Sequence, residues 1–169
     1  MEITIRRATA EDYPAVNALV GEVQTLHVEH EPNLFQEPPK GIVWPKEQYL
    51  GYLEGEGQLV LIAEAAGQPV GFLYALVREA PPLPIMAPRR YVVVDSIGVT
   101  ARVRGCGVGK RLMQRAEAWA CEQGASEFEL SVHTFNQNAI TFYTLFGMKP
   151  YVQRMSKPLH IEDPAHKDA

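Results

Sequence analysis

The feature that most constrains this chain is a turn in which every second residue is glycine. It reads Arg104-Gly105-Cys106-Gly107-Val108-Gly109-Lys110, and lies between an apolar run, Tyr91 to Val99, and a helical pattern over about 107–123. Alternating glycines leave no side chains over a row of backbone N–H groups. A helix opening from such a turn points those donors, and the positive end of its dipole, at an anion. The surrounding charge agrees. From Ser96 to Ala116 there is no acidic residue, while Arg102, Arg104, Lys110, Arg111 and Arg115 all fall there. Cations in a first helical turn oppose the helix dipole, and a bound polyanion offsets that conflict. A flexible turn on a solvated basic face is the bland alternative, and the charge pattern favours anion binding over it.

Two nucleotide-binding motifs are excluded by spacing. A Walker-type P-loop has four residues between its first glycine and the Gly-Lys-Ser/Thr end. Here three intervene between Gly105 and Gly109, and Arg111 stands where the magnesium-binding hydroxyl belongs. A dinucleotide fingerprint requires Gly-x-Gly-x-x-Gly early in a βαβ unit. This turn is Gly-x-Gly-x-Gly and follows three strands expected to be antiparallel.

The 169 residues are 46% apolar and 21% charged, ordinary for a single globular domain. No run approaches the roughly 20 apolar residues of a membrane span, and the first residues, MEITIRRATAED, lack the apolar run of a signal peptide. Two cysteines, Cys106 and Cys121, are too few for a disulfide scaffold. A cytoplasmic protein with reduced thiols, no membrane association and no metal is expected. The formal net charge of −4 at pH 7 argues against a nucleic-acid partner.

Periodicity places the remaining elements. Ile3 and Ile5 alternate with polar neighbours as a first strand. Tyr13, Val16, Leu19, Val20, Val23 and Leu26 form a helical face over about 10–30. Thr9, three residues before Asp12, reads as a helix entry, and Pro14 delays the regular helix. Residues 30–46 hold four prolines and read as an irregular loop, followed by a short helix over about 46–55. Residues 58–65 and 70–78 are strands, with turn chemistry at Gly67-Gln68-Pro69. The proline-rich stretch from Ala80 to Arg90 reads as a protruding hairpin connection before the strand Tyr91–Val99. Phe128, Leu130 and Val132 alternate with polar residues as a strand. A helix spans about 137–146 with Asn136 as N-cap, a strand covers about 148–157, and the tail from about Leu159 to Ala169 is expected to fray.

The motifs resemble those of the GNAT superfamily of N-acetyltransferases. Arg104, Gly107 and Gly109 match its acyl-CoA signature, Arg/Gln-x-x-Gly-x-Gly/Ala. Asp95-Ser96-Ile97-Gly98-Val99 resembles the end of its fourth strand. Asn136-Gln137-Asn138-Ala139-Ile140-Thr141-Phe142-Tyr143, followed by Gly147-Met148, is similar to its second motif, with Met148 in place of the usual phenylalanine. The resemblance implies a single domain over residues 1–158. Its fold is α+β, an αβα layering of helices around a central, mixed but mostly antiparallel sheet, with the fourth and fifth strands splayed apart.

It further implies acetyl-CoA as cosubstrate. The pantetheine arm would run along Ile97 and Val99, and the pyrophosphate would sit on Arg104, Gly105, Cys106, Gly107, Val108, Gly109 and Lys110. Acetyl transfer would proceed by direct attack of an amine on the thioester. That chemistry needs a neutral amine, a polarised carbonyl and a proton for the departing thiolate. Tyr143 matches the general acid; the alternative is a core tyrosine beside Phe142. Asp95 and Glu29 are candidate bases, and Asp95 reads equally as a structural partner. His133 reads as a structural histidine beside the cleft. Asn136 caps its helix, contacts the cofactor, or both. Cys106 fits the turn and is not a nucleophile, since the family forms no acyl-enzyme.

The acceptor side falls to the two proline-rich segments. Glu29, Glu31 and Glu37 would draw a cationic amine or keep a loop solvated. Phe35 and Trp44 would line a pocket or pin the loop to the core. Leu83, Ile85 and Met86 cluster on the 81–88 hairpin, so a homodimer or a covering substrate is expected. The rival reading is a non-catalytic acyl-CoA sensing module of the same fold.

Overall fold

The apolar runs become five strands whose order in the sheet is their order in the chain: β1 (Ile3–Arg7), β2 (Gln58–Ala65), β3 (Gln68–Glu79), β4 (Arg90–Val99) and β5 (Glu127–Leu130). The computed structural model describes residues 2–159. β1 to β4 pair antiparallel, and β5 joins β4 in parallel. The helices are α1 (Tyr13–His30), α2 (Lys46–Glu54), α3 (Val108–Glu122) and α4 (Gln137–Leu145). The chain divides into two units. Met1–Phe135 holds the whole sheet with α1 to α3, and the segment from Asn136 onward holds α4.

Paired residues share a face of the pleat. Leu59, Leu61 and Ala63 of β2 therefore lie with Leu73 and Ala75 of β3 and Val92 and Val94 of β4, while Val60, Ile62, Phe72 and Tyr74 lie on the opposite face. All of these residues are buried. A strand covered on both faces reads as a continuous apolar run, which is why Leu59-Val60-Leu61-Ile62-Ala63 shows no alternation. Val16, Leu19 and Val20 of α1, Trp44, and Tyr49 of α2 cover the Phe72 face. α3 covers the other, with Val108 and Leu112 resting against Gly71.

Local devices fix the entries. Thr9 and Asp12 form the capping box, the Thr9 N–H donating to Asp12 Oδ2 at 2.7 Å. A 3-10 turn at Ala10–Asp12 precedes α1, and Pro14 sits in the first helical turn. Arg6 of β1 grips the same Asp12 bidentately, at 2.7 and 2.8 Å, and donates to Glu64 of β2 at 2.6 Å. The β2–β3 turn is two residues, Ala66 (φ 50°) and Gly67 (φ 71°), both in the left-handed region. It lies one residue earlier than the Gly67-Gln68-Pro69 reading, because Gln68 already pairs with Ala65.

Two expectations need correction. The strand over 148–157 does not form: none of the described residues after α4 is in a strand. Pro150 cannot donate to a ladder, and Tyr151, Val152 and Met155 are exposed instead of facing a sheet. β5 stops at Leu130, short of Val132. Beyond Leu159, which is exposed, the tail lies outside the described residues.

Candidate active site

The glycine turn is clamped at both ends. Val103 before it and Val108 after it are buried, while Arg104, Gly105, Cys106 and Gly107 between them are exposed. Gly105 and Gly107 take φ of 79° and 83°, which side chains rarely adopt. Gly107 is the N-cap of α3. The amides of Gly107, Val108, Gly109 and Lys110 have no backbone acceptor among the described residues, as expected of a helix start with no capping side chain. Four donors without a backbone acceptor therefore gather at the positive end of the helix dipole, flanked by exposed Gly107 and Lys110. Lys110 and Arg111 are exposed beside them. Arg104 is committed elsewhere: its Nε donates to the Val99 carbonyl at 3.0 Å, tying the turn to the end of β4.

Next to the turn, the sheet opens. The β4–β5 ladder runs from Tyr91↔Glu127 to Val94↔Leu130 and stops, while β4 continues to Val99 with β3 alone. On the β3 side, Tyr74 pairs with Ser96 and Ala75 with Val94, so Asp95 is the extra residue of a β-bulge. Ile97 and Val99 follow on the free stretch. Asp95 is reached by solvent. Its carboxyl is nonetheless crowded enough for desolvation to hold it above the usual carboxylate range, against the opposing pull of Arg78. No ion pair of Asp95 is present among the described residues.

α1 lies directly on this free stretch. A Cβ on Gly98 would come within 2.7 Å of both Val23 of α1 and Phe72 of β3, so glycine is what lets the helix seat there. One turn later α1 meets the chain leaving β5: the rings of His27 and His133 are 5.2 Å apart. α1 thus spans from β4 to the segment after β5.

The acceptor-side candidates separate. Glu29 is exposed. Phe35 is half-buried against His27 and His133, with ring centroids at 4.8 and 5.2 Å. Trp44, 8% exposed, is packed edge-on against Tyr52, Phe72 and Tyr74, the position of a loop anchor. Glu31 meets His133, with Oε2 2.5 Å from Nδ1. Sequence reasoning missed this pairing, along with the rings of His27, His30 and Phe135 around it. Its one trace was the i, i+4 spacing of His27 and Glu31 at the end of α1.

In the unit beginning at Asn136, the Asn136 side chain accepts from the Ala139 amide at 3.1 Å and caps α4. Tyr143 follows on the same helix, beside Phe142. Burial raises its phenol to about 12, so it keeps its proton throughout the neutral range. Cys106 and Cys121 are exposed free thiols. Among the described residues no helix is long and apolar enough to cross a membrane.

Comparison with known proteins agrees with this geometry. The chain is 32% identical over 98 residues to N-acetyltransferase 8B of Mus musculus, and 31% identical over 98 residues to N-acetyltransferase 8F1 of the same species. These matches cover 58% of this chain but 40% and 42% of those proteins, so it spans less than half of their length. The crystal structure of a mutant of the BH1408 protein from Bacillus halodurans superposes with a TM-score of 0.88 at 26% identity, covering 93% of this chain and 99% of that one. An aminoglycoside N-acetyltransferase, AAC(6')-Iy, in complex with CoA shares the fold at a TM-score of 0.71 and 17% identity, covering 95% and 96% of the two chains. The sequence profile of the acetyltransferase (GNAT) family matches residues 22–148, and the chain belongs to that family.

Proposed function

We propose that this chain is an N-acetyltransferase that moves the acetyl group of acetyl-CoA to a primary amine of a small molecule or peptide by direct attack. The observation that carries the reading is the juxtaposition of four unpaired amides at the start of α3 with a β4 edge left open beyond Val94. The amides and the exposed cations suit a pyrophosphate. The open edge from Asp95 to Val99 suits the amide-bearing pantetheine arm, which can pair with it as a strand would.

Each residue then has a task. Gly107, Val108, Gly109 and Lys110 hold phosphate oxygens through backbone N–H groups. Arg104 fixes the turn to Val99. The carboxylate of Asp95, which has no ion pair among the described residues, favours an incoming ammonium group. Tyr143 supplies the proton that the thiolate takes as the C–S bond breaks, a role its raised pKa suits at neutral pH. Acceptor choice falls to the loop from His30 to Lys46 and to the hairpin at 81–88.

Calorimetry with acetyl-CoA, joined to thiol release across a panel of primary amines, tests the reading. Binding accompanied by amine-dependent thiol release supports it. Binding without release from any amine points to the acyl-CoA sensing module instead.

A further inference from the structure

Three histidines gather at the end of α1 and after β5, and each has its Nδ1 already engaged. His27 Nδ1 lies 2.8 Å from the Val23 carbonyl and His30 Nδ1 lies 2.9 Å from the Leu26 carbonyl. A carbonyl only accepts, so both nitrogens carry the proton. His133 Nδ1 lies 2.5 Å from Glu31 Oε2. That oxygen is out of solvent contact and has no other close partner among the described residues. The approach has ion-pair distance without ideal hydrogen-bond alignment, yet two lone pairs so close would repel, which again assigns a proton to Nδ1. In the neutral ring, Nε2 of His133 is left with the free lone pair.

The surroundings keep that ring in place. His27, Phe35 and Phe135 pack on it at centroid distances of 5.2, 5.2 and 5.8 Å, and His30 stacks on Phe135 at 4.6 Å. The His133 side chain is 37% exposed, so its free edge is reachable. Among the described residues no three His, Cys, Asp or Glu side chains are placed to hold a metal. What remains is an oriented imidazole backed by a carboxylate, three residues beyond the last β4–β5 pair at Leu130. It stands where α1 crosses from Gly98 to the far side of the opening.

We propose that His133 is the general base of the transfer reaction and that Glu31 is its positioning residue. This rests on the acetyl-transfer reading above. The acceptor ammonium gives one proton to Nε2 of neutral His133. The freed lone pair forms the C–N bond at the thioester carbonyl, and the C–S bond breaks. Tyr143 gives its proton to the sulfur and recovers one from the new amide nitrogen, and His133 returns its own to solvent. An imidazole with one nitrogen held by a carboxylate and the other open can take the proton of an incoming ammonium group and pass it on. The Glu31 carboxylate holds the tautomer and stabilises the imidazolium as it forms.

The test uses the whole chain with acetyl-CoA and three probe amines: spermidine, 2-phenylethylamine and an unblocked hexapeptide. For the amine that turns over best, kcat/KM should fall on the acid side with a single ionisation. His133→Asn should lower kcat by about 10²-fold or more, abolish that limb and leave acetyl-CoA affinity by calorimetry unchanged. Imidazole added to the buffer should restore His133→Ala. Glu31→Gln should keep the fold and shift the acid limb to lower pH. Should the histidine variants fold poorly, the Glu31→Gln shift decides alone. Full turnover with the limb intact in His133→Asn, loss of the limb in Asp95→Asn instead, or an unmoved limb in Glu31→Gln overturns the assignment. Failure of every amine with acetyl-CoA still bound overturns the transfer reading itself, and the base with it.

Discussion

Val94 of β4 and Leu130 of β5 form the last pair of the parallel ladder, and the next residue of β4, Asp95, is the one residue of that strand with no partner in β3. The two facts have one cause. A bulge bends its strand and increases the local twist, so β4 turns away from β5 where the extra residue enters. The bend leaves Ile97 and Val99 on an open edge and brings that edge to the glycine turn, to which Arg104 ties it. Glycine turn and sheet irregularity are therefore a single construction.

The first prediction concerns the turn. Gly107 sits at φ 83° next to the free amides. A side chain there costs about 1–2 kcal/mol of backbone strain, and a carboxylate adds repulsion toward any phosphate. Gly107→Glu should abolish acetyl-CoA binding by calorimetry, whereas Gly107→Ala should weaken it in proportion to the strain. Undiminished binding in the glutamate variant would remove the turn from the cofactor site.

The second concerns Tyr143. Its phenol, raised to about 12 by burial, remains a proton donor across the working range. Tyr143→Phe should lower kcat by about 10²–10⁴-fold, with a smaller change in the KM for acetyl-CoA. Steady-state kinetics against both substrates measure this, and wild-type turnover would mean that the thiolate takes its proton elsewhere.

How far the sequence could be read depended on whether a feature is local. The glycine turn, the Thr9–Asp12 box and the Asn136 cap are set by residues within a few positions of one another. All three were legible. The Glu31–His133 contact joins residues about a hundred positions apart and depends on α1 crossing β4 at Gly98. The i, i+4 spacing of His27 and Glu31 is its one local trace, and it does not name His133 as the partner. The strand read over 148–157 shows the converse failure: Tyr151, Val152 and Met155 supply an apolar pattern, but a strand exists through its partner. Trp44, legible only as pocket or anchor, is packed into the core beside Phe72 because one aromatic there seals the long loop onto the sheet.

The third prediction is acid sensitivity at the first helix. The Arg6 guanidinium and the Thr9 groups hold Asp12 down to about 2, from an ordinary 3.8. A carboxyl depressed on folding stabilises the protein above its unfolded pKa, and loses that contribution as pH falls through the folded value. Asp12 therefore supports the fold above about pH 4 and ceases to between about pH 4 and 2. Asp12→Asn should cost about 1–2 kcal/mol at neutral pH, discounted for the partial exposure of Arg6. It should also flatten the stability profile in that acid window. Urea unfolding at a series of pH values measures both, and an unchanged profile would assign the acid sensitivity to other groups.

The last prediction concerns the hairpin between β3 and β4. Its neck is closed by the Ala80 N–H donating to the Arg89 carbonyl at 2.9 Å, and Pro81 to Pro88 beyond it are exposed throughout. Leu83, Ile85 and Met86 are 52%, 89% and 42% exposed on a loop whose prolines limit its unfolded freedom. On the function proposed above, the glycine turn holds phosphates through backbone groups and carries no information about the amine, so selectivity must come from side chains elsewhere. An apolar loop held out from the sheet can supply it, either by covering the acceptor or by meeting a second copy of the chain. Replacing residues 81–88 with a short glycine–serine link should therefore change the amine profile or the sedimentation behaviour and leave acetyl-CoA affinity intact, because the link spans a neck that is already paired. If both the amine profile and sedimentation stay as in the wild type, the hairpin takes no part in acceptor choice or assembly.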